Sequence, residues 1–192
     1  MNKRKLILVI GGSRSGKSRF AEQYCTKVQQ ATGLPVTYLA TCPKIDSELE
    51  QRIAAHIERR PAEWGCIEET ADVANRIREL DETAGVLLLD CLSLLLNNWM
   101  WDKESQGQAA PLSEKEVLEL TRDLIEACRN YPHPVVVVTS EVGAGIVPES
   151  KLLRQYRDYL GLMNQLFAGE SDAVYALIAG IPVNLKEIQA AL

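Results

Sequence analysis

The chain has 192 residues, which is the length of one compact domain. Hydrophobic residues make up 46% and charged residues 24%, an ordinary globular composition that excludes an intrinsically disordered chain. The formal net charge is −5 and no long run of lysine or arginine occurs, so nucleic acid is not an expected partner.

Cysteine usage and hydropathy bear on where the protein is found. The five cysteines include no Cys-x-x-Cys pair, which predicts reduced thiols in a cytoplasmic protein. No stretch approaches the roughly 20 consecutive apolar residues that cross a bilayer, so no membrane span is expected.

Short apolar runs rich in β-branched residues alternate with helical patterns along the chain. Strands are predicted at residues 6–10, 36–40, 86–89, 135–139 and 174–179, with a short final strand at 181–185. Helices are predicted at residues 17–30, 46–60, 71–80, 92–101, 113–130 and 151–168. Uniformly apolar strands are typical of a parallel sheet covered on both faces. The sequence therefore predicts an α/β fold with a mostly parallel sheet, helices on both faces and a single domain over residues 1–192.

The strongest motif lies between the first strand and the first helix, where Gly-x-x-x-x-Gly-Lys-Ser has the spacing of a P-loop. Such a loop wraps phosphate groups with its backbone N–H groups. Lys17 is expected to contact the β and γ phosphates, and Ser18 to offer its hydroxyl to Mg²⁺. The nucleotide-binding residues predicted here are Gly11, Gly12, Ser13, Arg14, Ser15, Gly16, Lys17 and Ser18.

A P-loop enzyme also needs an acidic residue at the end of a neighbouring strand, and Asp90 follows the run 86–89. Asp90 is expected to hold Mg²⁺ directly or through water, with capping of the following helix as the alternative. The chain contains no Asn-Lys-x-Asp guanine reader, and Asp90 does not begin an Asp-x-x-Gly switch. These absences favour a transferase over a GTPase switch.

The predicted helix 46–60 carries His56 among Arg52, Arg59 and Arg60. Guanidinium groups recognise phosphate well, and a neutral imidazole can act as a nucleophile. The spacing alone is also compatible with a histidine that only packs in the core. A second notable segment, 142–148, is rich in glycine and follows a strand, where open α/β sheets bind ligands.

Four segments, taken in order along the chain, resemble one family. They are residues 11–22, 39–41, 52–64 and 139–149, and the similarity runs from residue 6 to about residue 186. The family is the bifunctional adenosylcobinamide kinase / adenosylcobinamide-phosphate guanylyltransferase of cobalamin biosynthesis. The segment around His56 and the segment Glu-Val-Gly-x-Gly-Ile-Val-Pro-Glu are specific to it, whereas the P-loop is shared with many other proteins.

The resemblance implies two reactions on one RecA-like P-loop scaffold. ATP or GTP phosphorylates adenosylcobinamide; GTP then guanylylates a histidine, and the GMP passes to adenosylcobinamide phosphate. The matching histidine is His56, and the resemblance further implies Mg²⁺ and a homotrimer. The remaining residues that it implies for the nucleotide site are Ala40, Thr41, Cys42, Ile57, Glu58, Arg59, Arg60, Glu68 and Asp90.

The chain departs from some relatives at two positions in or next to this site. It has Ala55 before His56 where some relatives have two adjacent histidines, and Asp90 where some have glutamate. Two other functions remain open: a small-molecule P-loop kinase without a covalent intermediate, and a non-enzymatic assembly module controlled by nucleotide.

Overall fold

The computed structural model describes residues 5–42, 61–105 and 111–190, with the side chains of residues 104 and 105 excepted. Its strands are β1 (Leu6–Gly11), β2 (Val36–Ala40), β3 (Gly65–Glu68), β4 (Val86–Asp90), β5 (Val135–Ser140), β6 (Ala173–Ile178) and β7 (Ile181–Asn184). Its α-helices are α1 (Lys17–Thr32), α2 (Val73–Arg78), α3 (Leu92–Ser105), α4 (Glu114–Asn130) and α5 (Lys151–Glu170). A 3-10 turn, Glu82–Ala84, precedes β4.

All seven strands form one sheet in the order β3-β2-β4-β5-β1-β6-β7. Every pair is parallel except β6 and β7, which form an antiparallel hairpin at one edge. The predicted mostly parallel α/β sheet is therefore confirmed. Strand β3 was not predicted, because it is an edge strand whose residues are exposed apart from the half-buried Ile67 and so lack an apolar run.

The core has two layers, one on each face of the sheet. On one face, Ile7 and Val9 of β1 pack with Ala21 and Cys25 of α1. On the other face, alternate strand residues pack against α2, α3, α4 and α5, and Phe167 of α5 is completely buried there. Helices thus cover both faces, as the uniformly apolar strands predicted. In open α/β sheets the carboxyl edge of the parallel strands is where ligands bind, so the site is expected there.

The start of α4 shows how local sequence sets an element. The hydroxyl of Ser113 accepts a hydrogen bond from the Glu116 N–H at 3.3 Å, and the Glu116 carboxylate accepts one from the Ser113 N–H at 2.9 Å. This is the capping box that the spacing of the two residues predicted.

The predicted helix 46–60 lies outside the described residues, and so do His56, Ile57, Glu58, Arg59 and Arg60. Within the part of the chain that the structure describes, no helix combines the length and apolarity needed to cross a membrane.

Candidate active site

The loop between β1 and α1 has the backbone shape that a phosphate-binding loop needs. Arg14 and Gly16 both adopt positive φ angles, 56° and 92°. Gly16 directly precedes the first helical residue, Lys17, so the N–H groups of the first turn of α1 face the loop. The Lys17 ammonium folds back and donates a hydrogen bond to the Gly12 carbonyl oxygen at 3.1 Å. The loop therefore gathers backbone donors and one positive charge at the end of β1.

The hairpin of β6 and β7 supports this loop from the side. The N–H of Gly180, in the turn between the two strands, donates a hydrogen bond to the Ser15 carbonyl oxygen at 3.0 Å. Gly180 has a φ of 82°, and its Cα lies 3.5 Å from where a Cβ would stand on Gly16. Sequence analysis found the final strand but gave no indication that its turn contacts the P-loop, because that contact joins residues 165 positions apart.

The carboxyl ends of β2, β3 and β4 bring three predicted site residues into one row. Glu68 pairs with Ala40, and Ala40 pairs with Asp90. Paired residues on neighbouring strands point to the same face. Tyr38, two residues before Ala40, packs in the core on the α1 side of the sheet, so this row lies on the same face as the helix that follows the P-loop.

The strand order corrects one expectation about Asp90. The acid was expected at the end of the strand next to the P-loop strand, but β5 lies between β1 and β4. Two strand spacings separate β4 from β1, a distance of ~10 Å. The expectation was wrong because the order of the strands depends on how the helices pack. The residues around Asp90 do not predict that order.

The buried thiol of Cys91 lies directly after Asp90, and its pKa is shifted by burial and by nearby charges. Burial raises the pKa of the Cys91 thiol to about 12; the Asp90 carboxylate also raises it, whereas the Lys17 ammonium lowers it. Both charges therefore act at the same buried thiol. Asp90 ends β4 and Lys17 follows the loop after β1, so both residues lie at the carboxyl edge of the parallel strands.

Thr41 does not line the site in this structure. It is completely buried, and its hydroxyl both donates to the Cys91 carbonyl oxygen and accepts from the Cys91 N–H, each at 2.8 Å. The Asn98 side chain donates to the Thr41 carbonyl oxygen at 2.8 Å. Thr41 therefore ties the end of β2 to the end of β4, whereas Cys42, the next residue, is partly exposed.

Three side chains next to Asp90 form a row of hydrogen bonds that the sequence analysis did not predict. The Cys91 thiol lies 3.0 Å from the Ser93 hydroxyl, which lies 3.2 Å from the Ser140 hydroxyl. Ser140 is the last residue of β5 and pairs with Gly11, the first residue of the P-loop. A polar residue that ends an apolar strand is the signal that could have pointed to Ser140.

The glycine-rich segment after β5 begins beside the P-loop. The N–H of Glu141 donates a hydrogen bond to the Gly11 carbonyl oxygen at 3.1 Å. The segment then runs over the surface, where Ile146 is 95% exposed, and Arg154 of α5 holds its far end through the Pro148 carbonyl oxygen at 2.9 Å. Its position at the carboxyl edge agrees with the predicted ligand-binding loop.

Among the described residues, no group of three or more histidine, cysteine, aspartate or glutamate side chains could hold a metal by itself. Mg²⁺ bound with a nucleotide needs only one or two protein ligands, since the phosphates and water supply the others. Ser18, in the first turn of α1, and Asp90, on the same face of the sheet, fit that requirement. The donor set is therefore compatible with a nucleotide-bound magnesium ion.

Comparison with known proteins decides the family. The sequence model of "Cobinamide kinase / cobinamide phosphate guanyltransferase" matches residues 7–185 of the chain. The chain belongs to this family. It is accordingly a transferase.

Full-length relatives agree with this assignment. The chain is 36% identical to the bifunctional adenosylcobalamin biosynthesis protein CobU of Escherichia coli over 94% of this chain and 99% of that protein. It is 37% identical to CobP of Pseudomonas aeruginosa, described in the same words, over 93% of this chain and 96% of that protein. These matches include the segment around His56, which lies outside the described residues.

Solved structures bear on the fold alone. The flagellar accessory protein FlaH of Methanocaldococcus jannaschii is 12% identical in sequence, yet it superposes on this chain with a TM-score of 0.51. The superposition covers 96% of this chain and 77% of FlaH. The chain thus shares its fold with a protein of very different sequence.

Proposed function

We propose that this protein phosphorylates adenosylcobinamide with ATP or GTP and then transfers GMP from GTP to adenosylcobinamide phosphate through a GMP–His56 intermediate. The observation that supports the proposal is the shape of the loop between β1 and α1, where Gly16 has a φ of 92° and the Lys17 ammonium folds back onto the Gly12 carbonyl oxygen. Asp90 ends β4, which runs parallel to β1 in the same sheet, and this shared carboxyl edge supports a joint role for Lys17 and Asp90. Family membership supplies the substrates.

In the kinase step, the P-loop N–H groups and Lys17 bind the β and γ phosphates of the nucleoside triphosphate. The hydroxyl oxygen of the aminopropanol arm bonds to the γ phosphorus, the bond from that phosphorus to the bridging oxygen breaks, and the nucleoside diphosphate leaves. The hydroxyl proton passes to solvent or to a neighbouring base. Ser18 and Asp90 would hold Mg²⁺, which would supply charge neutralisation at the phosphates. The residues of this chain provide position and charge, and no covalent bond to the protein is needed.

In the guanylyl step, a nitrogen of His56 bonds to the α phosphorus of GTP, and pyrophosphate leaves as the α–β bridging bond breaks. A phosphate oxygen of adenosylcobinamide phosphate then bonds to the same phosphorus. The P–N bond breaks, and the imidazole is regenerated as adenosylcobinamide-GDP departs. Cys42 lies two residues after Ala40, the residue of β2 that pairs with Asp90. The segment that carries His56 follows Cys42 in the chain, and this supports a shared edge for both steps.

GTP labelled on its α phosphate tests the guanylyl step. We expect the wild-type protein to retain the label after denaturation, with the acid lability and base stability of a P–N bond. His56→Ala should lose the labelling and adenosylcobinamide-GDP formation but keep much of its kinase activity. If the protein were a small-molecule kinase without a covalent intermediate, or a non-enzymatic assembly module, the wild-type protein would also lose the label on denaturation.

The chain offers a matched control in its other histidine. His133 lies between β5 and α4, and its Nε2 hydrogen-bonds with the Glu82 carbonyl oxygen at 2.9 Å, at the amino edge of the sheet. His133→Ala should therefore keep normal labelling. A labelled His56→Ala protein, or an unlabelled His133→Ala protein, would show that His56 is not the nucleophile.

We also propose a cytoplasmic homotrimer. An exposed apolar groove supports the oligomer, since soluble monomers rarely expose such patches without a use. The groove is lined by Asn97, Met100, Trp101, Leu152, Leu153 and Tyr156, and Trp101 is 66% exposed. Analytical ultracentrifugation tests it: a trimer is expected at micromolar concentration, and a monomer that is active at that concentration would contradict it.

A further inference from the structure

Tyr38 makes a specific contact with the candidate metal ligand. Its hydroxyl donates a hydrogen bond to Oδ2 of Asp90 at 3.0 Å. The residue is only 4% exposed and packs in the core between the sheet and α1. Because a buried aromatic ring has few available rotamers, its hydroxyl occupies a well-defined position.

The strand register explains how the two side chains meet. Tyr38 pairs with Leu88, and Ala40 pairs with Asp90, so Tyr38 stands two residues behind Asp90 on the neighbouring strand. Both side chains lie on the α1 face, and a long aromatic side chain can reach such a diagonal neighbour. The contact is therefore set by the pairing of β2 with β4 and does not depend on a flexible loop.

We infer that Tyr38 is a positioning residue that orients the Asp90 carboxylate toward the nucleotide-bound metal. A carboxylate has two oxygens, so the hydrogen bond at Oδ2 fixes the group while Oδ1 can bind a ligand. Hydrogen bonds to metal-binding carboxylates hold the ligand in the geometry that the metal requires, and their loss typically lowers metal affinity 10–100-fold. The inference rests on the metal role proposed for Asp90.

The test measures metal binding directly. Mn²⁺, which replaces Mg²⁺ and is visible by electron paramagnetic resonance, is titrated into protein saturated with the β,γ-imido analogue of ATP. Tyr38→Phe keeps the buried ring and removes the hydroxyl, and we expect it to weaken Mn²⁺ affinity about 10-fold. Thermal unfolding of each variant verifies the fold.

Tyr131→Phe is the matched control. Tyr131 is also buried, and its hydroxyl donates to the Gly85 carbonyl oxygen at 2.8 Å, just before β4 begins. This variant loses a comparable hydrogen bond at the opposite edge of the sheet, and its Mn²⁺ affinity should equal that of the wild type. Equal losses in the two variants would show that Tyr38 acts only through stability.

Asp90→Asn separates this inference from the proposed function. If Asp90→Asn weakens Mn²⁺ binding and Tyr38→Phe does not, the positioning role is wrong and the metal role stands. If Asp90→Asn leaves Mn²⁺ binding unchanged, the metal role itself is wrong. In the double variant, Tyr38→Phe should cause no further loss beyond that of Asp90→Asn, since the tyrosine acts through the carboxylate. A further loss of 10-fold would overturn the inference.

Discussion

The carbonyl oxygen of Leu177 lies 2.8 Å from the position that a Cβ atom would take on Gly11. Gly11 ends β1 and pairs with Leu177 of β6, so the parallel pairing of the two strands leaves no room for a side chain where the P-loop begins. Because the obstacle is a backbone atom within a sheet, it cannot move aside as a side chain would.

Gly11→Ala should therefore displace the start of the P-loop. We expect the free energy of unfolding to fall by about 1–3 kcal/mol, the usual cost of overpacking a tight site. Nucleotide affinity should fall as well, because the loop donors shift from their positions.

Urea unfolding measures the first effect, with Gly12→Ala as the control. A Cβ on Gly12 would have no other atom within 4 Å, so we expect its free energy of unfolding to stay close to that of the wild type. A loss for Gly12→Ala as large as that for Gly11→Ala would refute the steric explanation.

Lys17→Ala should abolish both the kinase and the guanylyl activities. In the proposed function both steps bind a triphosphate whose charge this ammonium neutralises. Removing one such group typically costs about 100–1,000-fold in rate. Steady-state assays of each reaction measure it. Lys27→Ala, a change at an exposed position farther along α1, should leave both rates unaltered. Normal guanylylation by Lys17→Ala would show that the loop serves the kinase step alone.

The five thiols should differ sharply in reactivity. Burial raises the pKa values of Cys91 and Cys128 to about 12 and also raises that of Cys25. A raised thiol pKa means less thiolate at pH 8, and the thiolate is the reactive form. The exposed Cys66 and the partly exposed Cys42 should react first.

Ellman's reagent at pH 8, followed by peptide mass spectrometry, checks this order. The native protein should be modified rapidly at Cys42 and Cys66, and all five cysteines should react once it is unfolded in guanidinium. Rapid modification of Cys91 in the native state would mean that the end of β4 opens far more readily than its burial indicates.

Local features of the sequence were sufficient for much of this protein. The spacing of Gly11, Gly16 and Lys17 predicted the loop that the structure shows, and the Ser113 capping box was predicted from two residues. Uniformly apolar runs predicted parallel strands covered on both faces. Each of these features depends on residues close together in the chain, where backbone geometry and side-chain periodicity leave a direct pattern.

Other features were decided only by the tertiary structure. The insertion of β5 between β1 and β4, the burial of Thr41 against Cys91 and the contact of Tyr38 with Asp90 all join residues about 50 or more positions apart. The exposed edge strand β3 has no apolar run of its own and is defined by its pairing with β2. Such pairings follow from how whole helices and strands pack together, and a short stretch of sequence contains no information about which distant stretch will lie beside it.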